Sequence, residues 1–328
     1  MSVATFPFSA NGITYRPPAK PVVVICLDGS ADEYLDTTLA FGRMPALARM
    51  AREGYRGMVR GALPSFTNVN NASIVTGVSP AVHGISGNFF YDTVKDEEVM
   101  MNSAAYLRAE TLLAAAAKAG RKVAVVTAKE KLRDILSWQL DGIAFSAEKA
   151  AQATRETHGI DGVEALTGYP APPIYSADAS LFVLRAGVAL IKNGLADFLY
   201  LSLTDFMQHS FAPETPESLE FYAAIDRELG RLLELGAVIG ATADHGMNAK
   251  QHPDGSPNVI YVETLLTEKY GSGFRVICPI TDPYVKHHGA LGSYVVVHLP
   301  DNGKAAEISE WLLQQPGITE VHNKATAA

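Results

Sequence analysis

Acidic and histidine side chains follow three apolar runs of the sequence, in positions where they could bind metal ions. Asp28 comes directly after the run VVVICL. Asp205 and His209 follow FLYLSL at a spacing of four, which places both on one face of a helical turn. Asp244 and His245 are neighbours that follow AVIGATA. Because zinc accepts mixed oxygen and nitrogen ligands, the three sets together indicate a two-metal hydrolase.

Each of these side chains also has an ordinary structural interpretation. A carboxylate in the position of Asp28 can cap a helix or close a turn. Asp205 and His209 can form a hydrogen bond on a helix surface. Asp244 and His245 carry the stronger metal signal, because a strand followed by Asp-His and a glycine presents one oxygen and one nitrogen at a sheet edge.

A hydroxyl group joins the candidates at Thr67, which precedes an apparent helix over 69–76 in PSFTNVNNASIVTG. A hydroxyl at a helix N-terminus can face a metal or a phosphoryl group, since the helix dipole and free N–H groups there favour anions. Thr67 or Ser65 can equally cap that helix, which is the commoner arrangement. His83 lies in a turn-rich loop that leads to Asn88, and it is either a ligand or a plain loop histidine.

Two lysines, Lys129 and Lys131, follow the apolar run VAVVT. On an extended segment they would point the same way and could bind a second anionic group of a substrate; a solvated loop is the alternative. The adjacent histidines His287 and His288 precede a glycine-rich turn and are metal ligands by type. Their place after an irregular region fits a lid instead.

The elements that must position these side chains alternate along the chain. Predicted strands cover 22–27, 123–127, 198–203, 237–243 and 294–299. Predicted helices cover roughly 44–54, 105–119, 180–194 and 215–235. This alternation predicts an α/β fold whose mostly parallel sheet has helices on both faces. Sites in such folds lie outside the carboxyl ends of the strands, where the acidic and histidine side chains fall.

Segments with weaker periodicity and many turn residues interrupt the pattern. GYPAPPIYS contains too many prolines for a regular element and predicts a loop. We therefore predict a metal-binding core from 13–127 and 181–250 with 291–328, and an inserted cap or lid from 128–180 and 251–290.

The composition is that of a globular protein without a basic face. The 328 residues suffice for one large α/β domain or a domain with an insertion. A formal net charge of −8 argues against a nucleic-acid partner. No signal peptide is expected, and no run approaches the roughly 20 apolar residues of a membrane span. With Cys26 expected in the core and Cys278 as the second cysteine, a cytoplasmic location is expected.

Taken together, these segments resemble the phosphonoacetate hydrolases, which are zinc enzymes of the alkaline phosphatase superfamily, in its nucleotide pyrophosphatase/phosphodiesterase-like branch. The resemblance runs from about residue 13 to the end, in order and spacing as well as residue type. The motifs that carry it are ICLDGS, PSFTNVNNASIVTG, GISGNFFYD, TAKEKL, LSLTDFMQH, TADHGM and ITDPYVKHHGALGS. It implies an alkaline phosphatase-like core and hydrolysis of the carbon–phosphorus bond of phosphonoacetate to acetate and phosphate.

The resemblance also implies two Zn²⁺ ions. The implied ligands of the first ion are Asp28, Thr67, Asp244 and His245. The implied ligands of the second ion are Asp205 and His209. The family completes its second site with a histidine in an SHGG-like segment near the C-terminus. That segment is not found here, so the chain is expected to stop some tens of residues early. The alternatives for this ligand are His287, His288 and His322, of which the family pattern places the first two in the cap.

The remaining implied roles concern the substrate. Thr67 would be the nucleophile or would orient the phosphonate between the metals. Asn88 would bind a phosphonyl oxygen. Lys129 and Lys131 would hold the substrate carboxylate and the charge that develops as carbon leaves.

Other functions stay open. A phosphodiesterase or nucleotide pyrophosphatase would use the same metal ligands and threonine, and a chain with an incomplete metal pair would be inactive or a binding module. The sulfatase pattern C/S-x-P-x-R is absent, and no G-x-G-x-x-G follows the first strand, which disfavours a dehydrogenase. The expected partner is a small-molecule phosphonate, with no nucleic acid and no membrane. A homodimer is compatible with the sequence, which does not fix the oligomeric state.

Overall fold

The computed structural model describes residues 5–280, 292–323 and 325–326. The strands are β1 (Phe8–Ala10), β2 (Ile13–Tyr15), β3 (Val22–Cys26), β4 (Phe89–Asp92), β5 (Glu97–Met100), β6 (Val123–Thr127), β7 (Ile143–Ser146), β8 (Phe198–Ser202), β9 (Val238–Thr242), β10 (Arg275–Ile277) and β11 (Val296–His298). The helices are α1 (Asp32–Ala40), α2 (Pro45–Glu53), α3 (Thr67–Thr76), α4 (Pro80–His83), α5 (Leu112–Lys118), α6 (Glu130–Leu136), α7 (Arg155–His158), α8 (Val163–Thr167), α9 (Ala177–Lys192), α10 (Phe206–Ser210), α11 (Pro216–Glu234), α12 (Val262–Tyr270) and α13 (Ala305–Leu313). Short 3₁₀ turns lie at Ala104–Tyr106, Ala150–Gln152 and Asn302–Lys304.

A five-stranded sheet in the order β7-β6-β8-β3-β9 forms the centre, and every neighbouring pair in it is parallel. In its register, Cys26 at the end of β3 lies opposite Ser202 of β8 and Thr242 of β9. The carboxyl ends of these strands therefore meet at one edge, as the predicted α/β fold requires.

Helices cover both faces of this sheet, because its strands bury side chains in both directions. On β6, Ala124 and Val126 pack in the apolar cluster that contains buried residues of α9 and α11. Val123 and Val125 pack in the opposite cluster, with buried residues of α3, α5 and α6. Cys26 belongs to this second cluster and is fully buried, which confirms it as a core thiol. The predicted fold class is thereby confirmed.

The chain divides into two compact units. One contains the chain up to Ser86 together with Met101–Met247, and the other contains Gly87–Met100 and the chain from Asn248 onward. The predicted division placed 291–328 with the core. The structure groups this segment with the second unit, because β11 pairs with β10 rather than joining the central sheet. The functional division into a metal-binding core and a cap stays a prediction.

The first unit has an edge strand and an exposed apolar segment on its surface. Strand β9 has β3 on one side and no further strand beyond it in the part of the chain that the structure describes. Its first residue, Val238, is 45% exposed. The segment between α2 and α3 also presents exposed apolar side chains, which are Tyr55, Met58, Val59 and Leu63. None of the described helices combines the length and the apolar composition needed to cross a bilayer.

Candidate metal and phosphoryl site

Four strands of the central sheet each deliver one charged side chain just beyond their carboxyl ends. Asp28 lies two residues after β3, and Asp244 lies two residues after β9. Asp205 follows β8 by three residues, and Lys129 follows β6 by two. Because the strands are parallel and in register, the four side chains reach the same edge of the sheet, as expected from the sequence.

Asp28, Asp244 and His245 form a group that could hold a metal ion. One ligand atom from each lies within 4.8 Å of the others. The Nε2 atom of His245 is 3.2 Å from Oδ1 of Asp28 and 3.3 Å from the hydroxyl oxygen of Thr67. Thus the four residues expected to bind the first ion lie together. Across residues 5–280, 292–323 and 325–326, this is the single group of three or more acidic, cysteine or histidine ligands at such spacing.

Asp205 and His209 form a second pair beside this group. Asp205 is the N-cap residue of α10, and the turn of helix brings Nε2 of His209 to 3.1 Å from Oδ2 of Asp205. The predicted helical turn between them is therefore present. Lys129 links the two sets, since its Nζ lies 3.0 Å from Oδ2 of Asp28 and 2.7 Å from Oδ1 of Asp205.

The donor set fits a zinc ion. It offers carboxylate oxygens, an imidazole nitrogen and a hydroxyl, which are ligand types that zinc accepts. Moreover, Oδ1 of Asp28 is buried without a well-aligned hydrogen-bond donor, and its neighbour is Nε2 of His245 at 3.2 Å. A buried carboxylate oxygen without a hydrogen-bond donor is unfavourable unless a positive charge compensates for it.

The electrostatics of the cluster follow from burying several carboxylates together. Burial, followed by the charge of Asp28, raises the pKa of Asp244 to about 7. Burial alone would lower the pKa of His245, but the charges of Asp244 and Asp28 outweigh it and raise that pKa to about 10. The site therefore stabilises positive charge, which is the property that a divalent cation needs.

For Lys129 and Asp205, too, the charges of neighbouring groups outweigh the effect of burial on the pKa. Burial opposes its charge, yet the carboxylates of Asp205 and Asp28 hold the pKa of Lys129 well above its usual range. Burial would likewise raise the pKa of Asp205, but Lys129 and His209 hold that pKa well below its usual range. The ammonium and the carboxylates thus stabilise each other in their charged forms.

Thr67 is the first residue of α3, which starts two residues earlier than the predicted helix. The N-cap residue is Phe66, and no side chain caps this helix. The capping alternative for Thr67 or Ser65 is therefore not found. Instead, the hydroxyl of Ser65 donates to the backbone carbonyl of Asp244 at 3.3 Å.

Asn71 is a buried residue of the site that the sequence reasoning missed. Its amide donates to Oδ2 of Asp244 at 3.0 Å and to the carbonyl of Thr67 at 3.0 Å. Its amide oxygen accepts a hydrogen bond from the hydroxyl of Tyr200 at 2.8 Å. These partners fix the orientation of both Asp244 and the start of α3. The sequence signal that could have identified Asn71 is its position one helical turn after Thr67, on the same face of the helix.

Gly29 brings the strand ends together. Its N–H donates to Oδ1 of Asp244 at 3.2 Å, and its φ is 71°, in the left-handed region that favours glycine. A Cβ atom at Gly29 would lie 3.0 Å from the Cβ of Asp205. Any larger residue would therefore push the two aspartate turns apart.

His83 is a satisfied internal histidine rather than a ligand of this group. Its Nδ1 accepts the N–H of Ile85 at 3.1 Å, so its Nε2 carries the proton that faces the hydroxyl of Ser73 at 2.9 Å. Burial lowers the pKa of His83 to about 4. The neutral form is therefore the stable one inside the fold.

The remaining predicted residues each have a local setting of their own. Lys131 is exposed in the first turn of α6, so the extended segment that would align it with Lys129 is not formed. Asn88 belongs to the second unit, where its N–H donates to the carbonyl of Pro279 at 2.8 Å. The substrate roles of Lys131 and Asn88 stay predictions. His322 pairs with Glu320 at 3.0 Å. The adjacent histidines, His287 and His288, lie outside the described residues.

Comparison with known proteins gives matches over most of the chain. Residues 22–311 match the family described as type I phosphodiesterase / nucleotide pyrophosphatase. Two structures of phosphonoacetate hydrolase from Sinorhizobium meliloti, in complex with phosphonoformate and with phosphonoacetate, superpose with a TM-score of 0.88 at 48% sequence identity. The match covers 96% of this chain and 77% of that chain. Murine ectonucleotide pyrophosphatase / phosphodiesterase 5 superposes with a TM-score of 0.54 at 16% identity, covering 90% and 71% of the two chains, and shares the fold.

Two curated relatives are venom phosphodiesterases. That of Naja atra is 26% identical over 248 residues, and that of Macrovipera lebetinus is 27% identical over 225 residues. These alignments cover 70% and 66% of this chain. The matched part spans only about a quarter of each relative's length, at 26% and 23%.

Proposed function

Because the chain belongs to the type I phosphodiesterase / nucleotide pyrophosphatase family of the alkaline phosphatase superfamily, as its motifs predicted, we propose that it hydrolyses the carbon–phosphorus bond of phosphonoacetate with zinc as cofactor. The supporting observation is Lys129, whose ammonium lies between Asp28 and Asp205. Lys129 thus lies beside the residues predicted to bind the phosphoryl group. The chain as a whole is 48% identical to a phosphonoacetate hydrolase. The carbon leaving group departs as a carboxylate-bearing carbanion, a poorer leaving group than an ester oxygen, so a cation is needed near the charge that develops on it.

The proposed cofactor is a pair of Zn²⁺ ions. Asp28, Thr67, Asp244 and His245 would hold one ion, and Asp205 with His209 would hold the other. When bound, the ions would polarise the phosphonyl oxygens and lower the pKa of a hydroxyl or water. The residue that completes the second site stays open.

The reaction breaks the phosphorus–carbon bond and forms a phosphorus–oxygen bond. Thr67 either supplies the attacking oxygen or orients the phosphonate toward a water. Its place at the start of α3 suits both roles, because the free N–H groups and the helix dipole stabilise an anion there. The electron pair of the broken bond leaves with the methylene carbon as an acetate enolate, which takes a proton from water. If Thr67 supplies the attacking oxygen, a water then breaks the bond between this oxygen and phosphorus and regenerates the hydroxyl. By either route, phosphonoacetate and water give acetate and phosphate.

Lys129 would stabilise the enolate as its charge develops, an electrostatic role equivalent to that of an oxyanion hole. Lys131 would help to hold the substrate carboxylate, and Asn88 would bind a phosphonyl oxygen. A cytoplasmic location, the absence of nucleic-acid and membrane partners, and a homodimeric assembly stay predictions.

The test is phosphate release from phosphonoacetate by the purified chain supplemented with zinc. We expect release by the native chain and a large loss in Lys129→Ala. Lys118→Ala is the matched control, because Lys118 is exposed and forms a surface ion pair with Glu110. Folded, zinc-loaded protein that releases no phosphate would contradict the proposal, as would equal activity of the two lysine variants.

A second candidate is a phosphodiesterase, which the family match and the venom phosphodiesterase relatives favour. It would use the same ligands and Thr67, but an ester oxygen leaves more easily than carbon and depends less on Lys129. Hydrolysis of an aryl phosphodiester without phosphate release from phosphonoacetate would select this candidate. No activity on either compound would favour a chain with an incomplete metal pair.

A further inference from the structure

Tyr175 has an uncommon backbone conformation beside the candidate site. Its φ is 52°, in the left-handed region that residues with a Cβ rarely adopt. Asparagine and aspartate tolerate this region through short polar side chains that bond locally, and tyrosine has no such means. Non-glycine residues in this conformation persist where the surrounding structure holds them, which occurs often at functional sites.

The loop 168–176 and the next helix hold Tyr175 in this conformation. Upstream, Pro172 and Pro173 restrict the chain. Downstream, Ser176 is the N-cap of α9, and its hydroxyl accepts the N–H of Ala179 at 3.3 Å while donating to the carbonyl of Pro173 at 2.8 Å. With both flanks fixed, the direction of the Tyr175 side chain is set by the loop.

That direction places the aromatic ring against the charged cluster. The ring of Phe206, the residue after Asp205, meets the ring of Tyr175 at a centroid distance of 5.5 Å and an interplanar angle of 84°. The Nζ atom of Lys129 lies 5.6 Å from the centroid of the Tyr175 ring. A cation at this distance from an aromatic face is attracted by the negative potential of the ring.

The ammonium of Lys129 is therefore held from two sides. Two carboxylates, Asp28 and Asp205, accept its hydrogen bonds, and the Tyr175 ring faces it as well. An ammonium has three N–H donors, so a third can meet an anionic group of a substrate. The ring restricts the positions that the flexible lysine side chain can occupy, which matters because an unrestrained lysine samples many rotamers.

We propose that Tyr175 is a positioning residue that acts through Lys129 and makes the site selective for substrates whose leaving group is a carbanion rather than an oxygen anion. This selectivity rests on the proposed function, whereas the contact between Tyr175 and Lys129 does not. The ring keeps the ammonium where the negative charge of the leaving carbon develops. A substrate with a good oxygen leaving group needs this restraint less.

The first test measures the Tyr175–Lys129 interaction without any catalysis. Urea unfolding of the native chain, Tyr175→Leu, Lys129→Met and the double variant forms a double-mutant cycle. We expect the two substitutions to be coupled by about threefold or more in the unfolding equilibrium constant, the size of a cation–π contact. Tyr175→Phe keeps the ring and should retain the coupling. Additive effects would overturn the proposal.

Tyr175→Gly gives a second form of the same test, should the leucine variant not fold. Glycine adopts a φ of 52° without strain, so this variant removes the ring while relieving the backbone. Its coupling to Lys129→Met should match that of the leucine variant. Absence of coupling in the glycine cycle would again overturn the proposal.

The second test compares two substrates in the zinc-loaded enzyme. For Tyr175→Leu, we expect kcat/KM for phosphonoacetate to fall about tenfold more than kcat/KM for an aryl phosphodiester. Tyr175→Phe keeps the ring but loses the hydrogen bond between the hydroxyl and Asp205, so it should retain most of this selectivity. Tyr169→Leu is the matched control, since Tyr169 lies in the same loop and packs its ring 4.0 Å from the guanidinium carbon of Arg185. Equal losses on both substrates, or the same shift in the Tyr169 variant, would overturn the selectivity.

The two tests separate a failure of this inference from a failure of the proposed function. If the native chain does not hydrolyse phosphonoacetate, the proposed function fails and the selectivity is refuted with it. The unfolding cycle still decides whether Tyr175 holds Lys129. If the native chain is active but the cycle is additive, the proposed function stands and the role of Tyr175 is refuted.

Discussion

At the scale of single residues, the site is a set of charges that are stable only together. Three buried aspartates approach one another at the sheet edge, and the charged forms of His245 and Lys129 compensate for them. Removing one charge would leave its partners buried and uncompensated, which is more costly than the loss of a surface ion pair. Substitutions here should therefore affect folding and chemistry at once.

Thr67 is the residue whose removal should affect chemistry most and folding least. Its hydroxyl caps no helix, and it lies 3.3 Å from His245. We expect Thr67→Ala to lower kcat of the zinc-loaded enzyme by about a thousandfold or more, because an attacking or orienting oxygen is lost. Thr76→Ala, on the same helix, is the control and removes a hydroxyl that donates to the carbonyl of Ala72 within the helix. Unchanged turnover in Thr67→Ala would remove Thr67 from the mechanism.

His83 makes a prediction about pH that concerns stability rather than activity. Its pKa in the fold is about 4, below the ordinary value of 6.5, so the folded state binds fewer protons than the unfolded state between those values. Its contribution is thus fully present above pH 6.5 and is lost as pH falls toward 4, with a slope of up to about 1.4 kcal/mol per pH unit.

Urea unfolding at about pH 7 and about pH 5 checks this expectation. The free energy of unfolding should fall less between the two conditions in His83→Gln than in the native chain. His322→Gln is the control, because the His322 side chain is 41% exposed. Identical pH dependence in the native chain and His83→Gln would show that His83 is not the group responsible.

At the scale of secondary structure, helix α10 depends on a buried polar network that connects it to the rest of the fold. The amide of Gln208 donates to the hydroxyls of Ser30 at 3.1 Å and Tyr222 at 2.7 Å, which lie 2.6 Å from each other. This network joins the turn after Asp28 to α10 and α11. It therefore fixes the helix that carries His209 relative to the first aspartate.

Tyr222→Phe should loosen that connection while keeping the ring. We expect a loss of about 1–2 kcal/mol in the free energy of unfolding, because the buried amide of Gln208 and hydroxyl of Ser30 lose a partner. Urea unfolding measures the loss, and Tyr55→Phe, at an exposed position, serves for comparison. A Tyr222 variant as stable as the native chain would mean that the network does not stabilise the fold.

The elements that the sequence predicted best are those decided by burial. Continuous apolar runs correctly placed four of the five parallel strands, which are β3, β6, β8 and β9. They missed β7, which lies in the segment 128–180 predicted as a cap, and the run at 294–299 forms β11 in a small antiparallel pair. An apolar run indicates a strand, but it does not show whether that strand joins the central sheet or pairs with a strand outside it. Similarly, the apolar pattern at 105–119 yields a helix only from Leu112, because Thr111 caps it through the N–H of Ala114.

Site residues that directly follow the ends of strands could be predicted from the sequence. Residues whose position depends on tertiary contacts or on local backbone conformation could not. Asp28, Asp244 and His245 met as expected because parallel strands bring their ends together. Lys131 lies in a helix rather than on the predicted extended segment, because α6 starts at Glu130. Tyr175 could not have been found from a proline-rich loop, since its contact with the site depends on a φ value that the sequence does not specify.

At the scale of the whole molecule, metal binding should be coupled to stability. A ligand that binds only the folded state adds about 2.7 kcal/mol at a free concentration of 100 times its Kd. We expect zinc to raise the Tm of the native chain and to raise it much less in Asp244→Asn. Asp254→Asn, in an exposed turn, should respond as the native chain does. Equal shifts in all three proteins would mean that zinc binds somewhere other than the candidate site.

Strand β9 lies at the end of the central sheet in the described part of the chain, and this position bears on the solubility of the protein. A strand at a sheet edge offers unpaired N–H and C=O groups, and natural proteins protect such edges with charges, prolines or bulges. The sequence of β9, VIGAT, contains none of these charges or prolines, and its first side chain is 45% exposed. Together with the exposed apolar side chains between α2 and α3, this edge should favour association of the chain through added strands in concentrated solution.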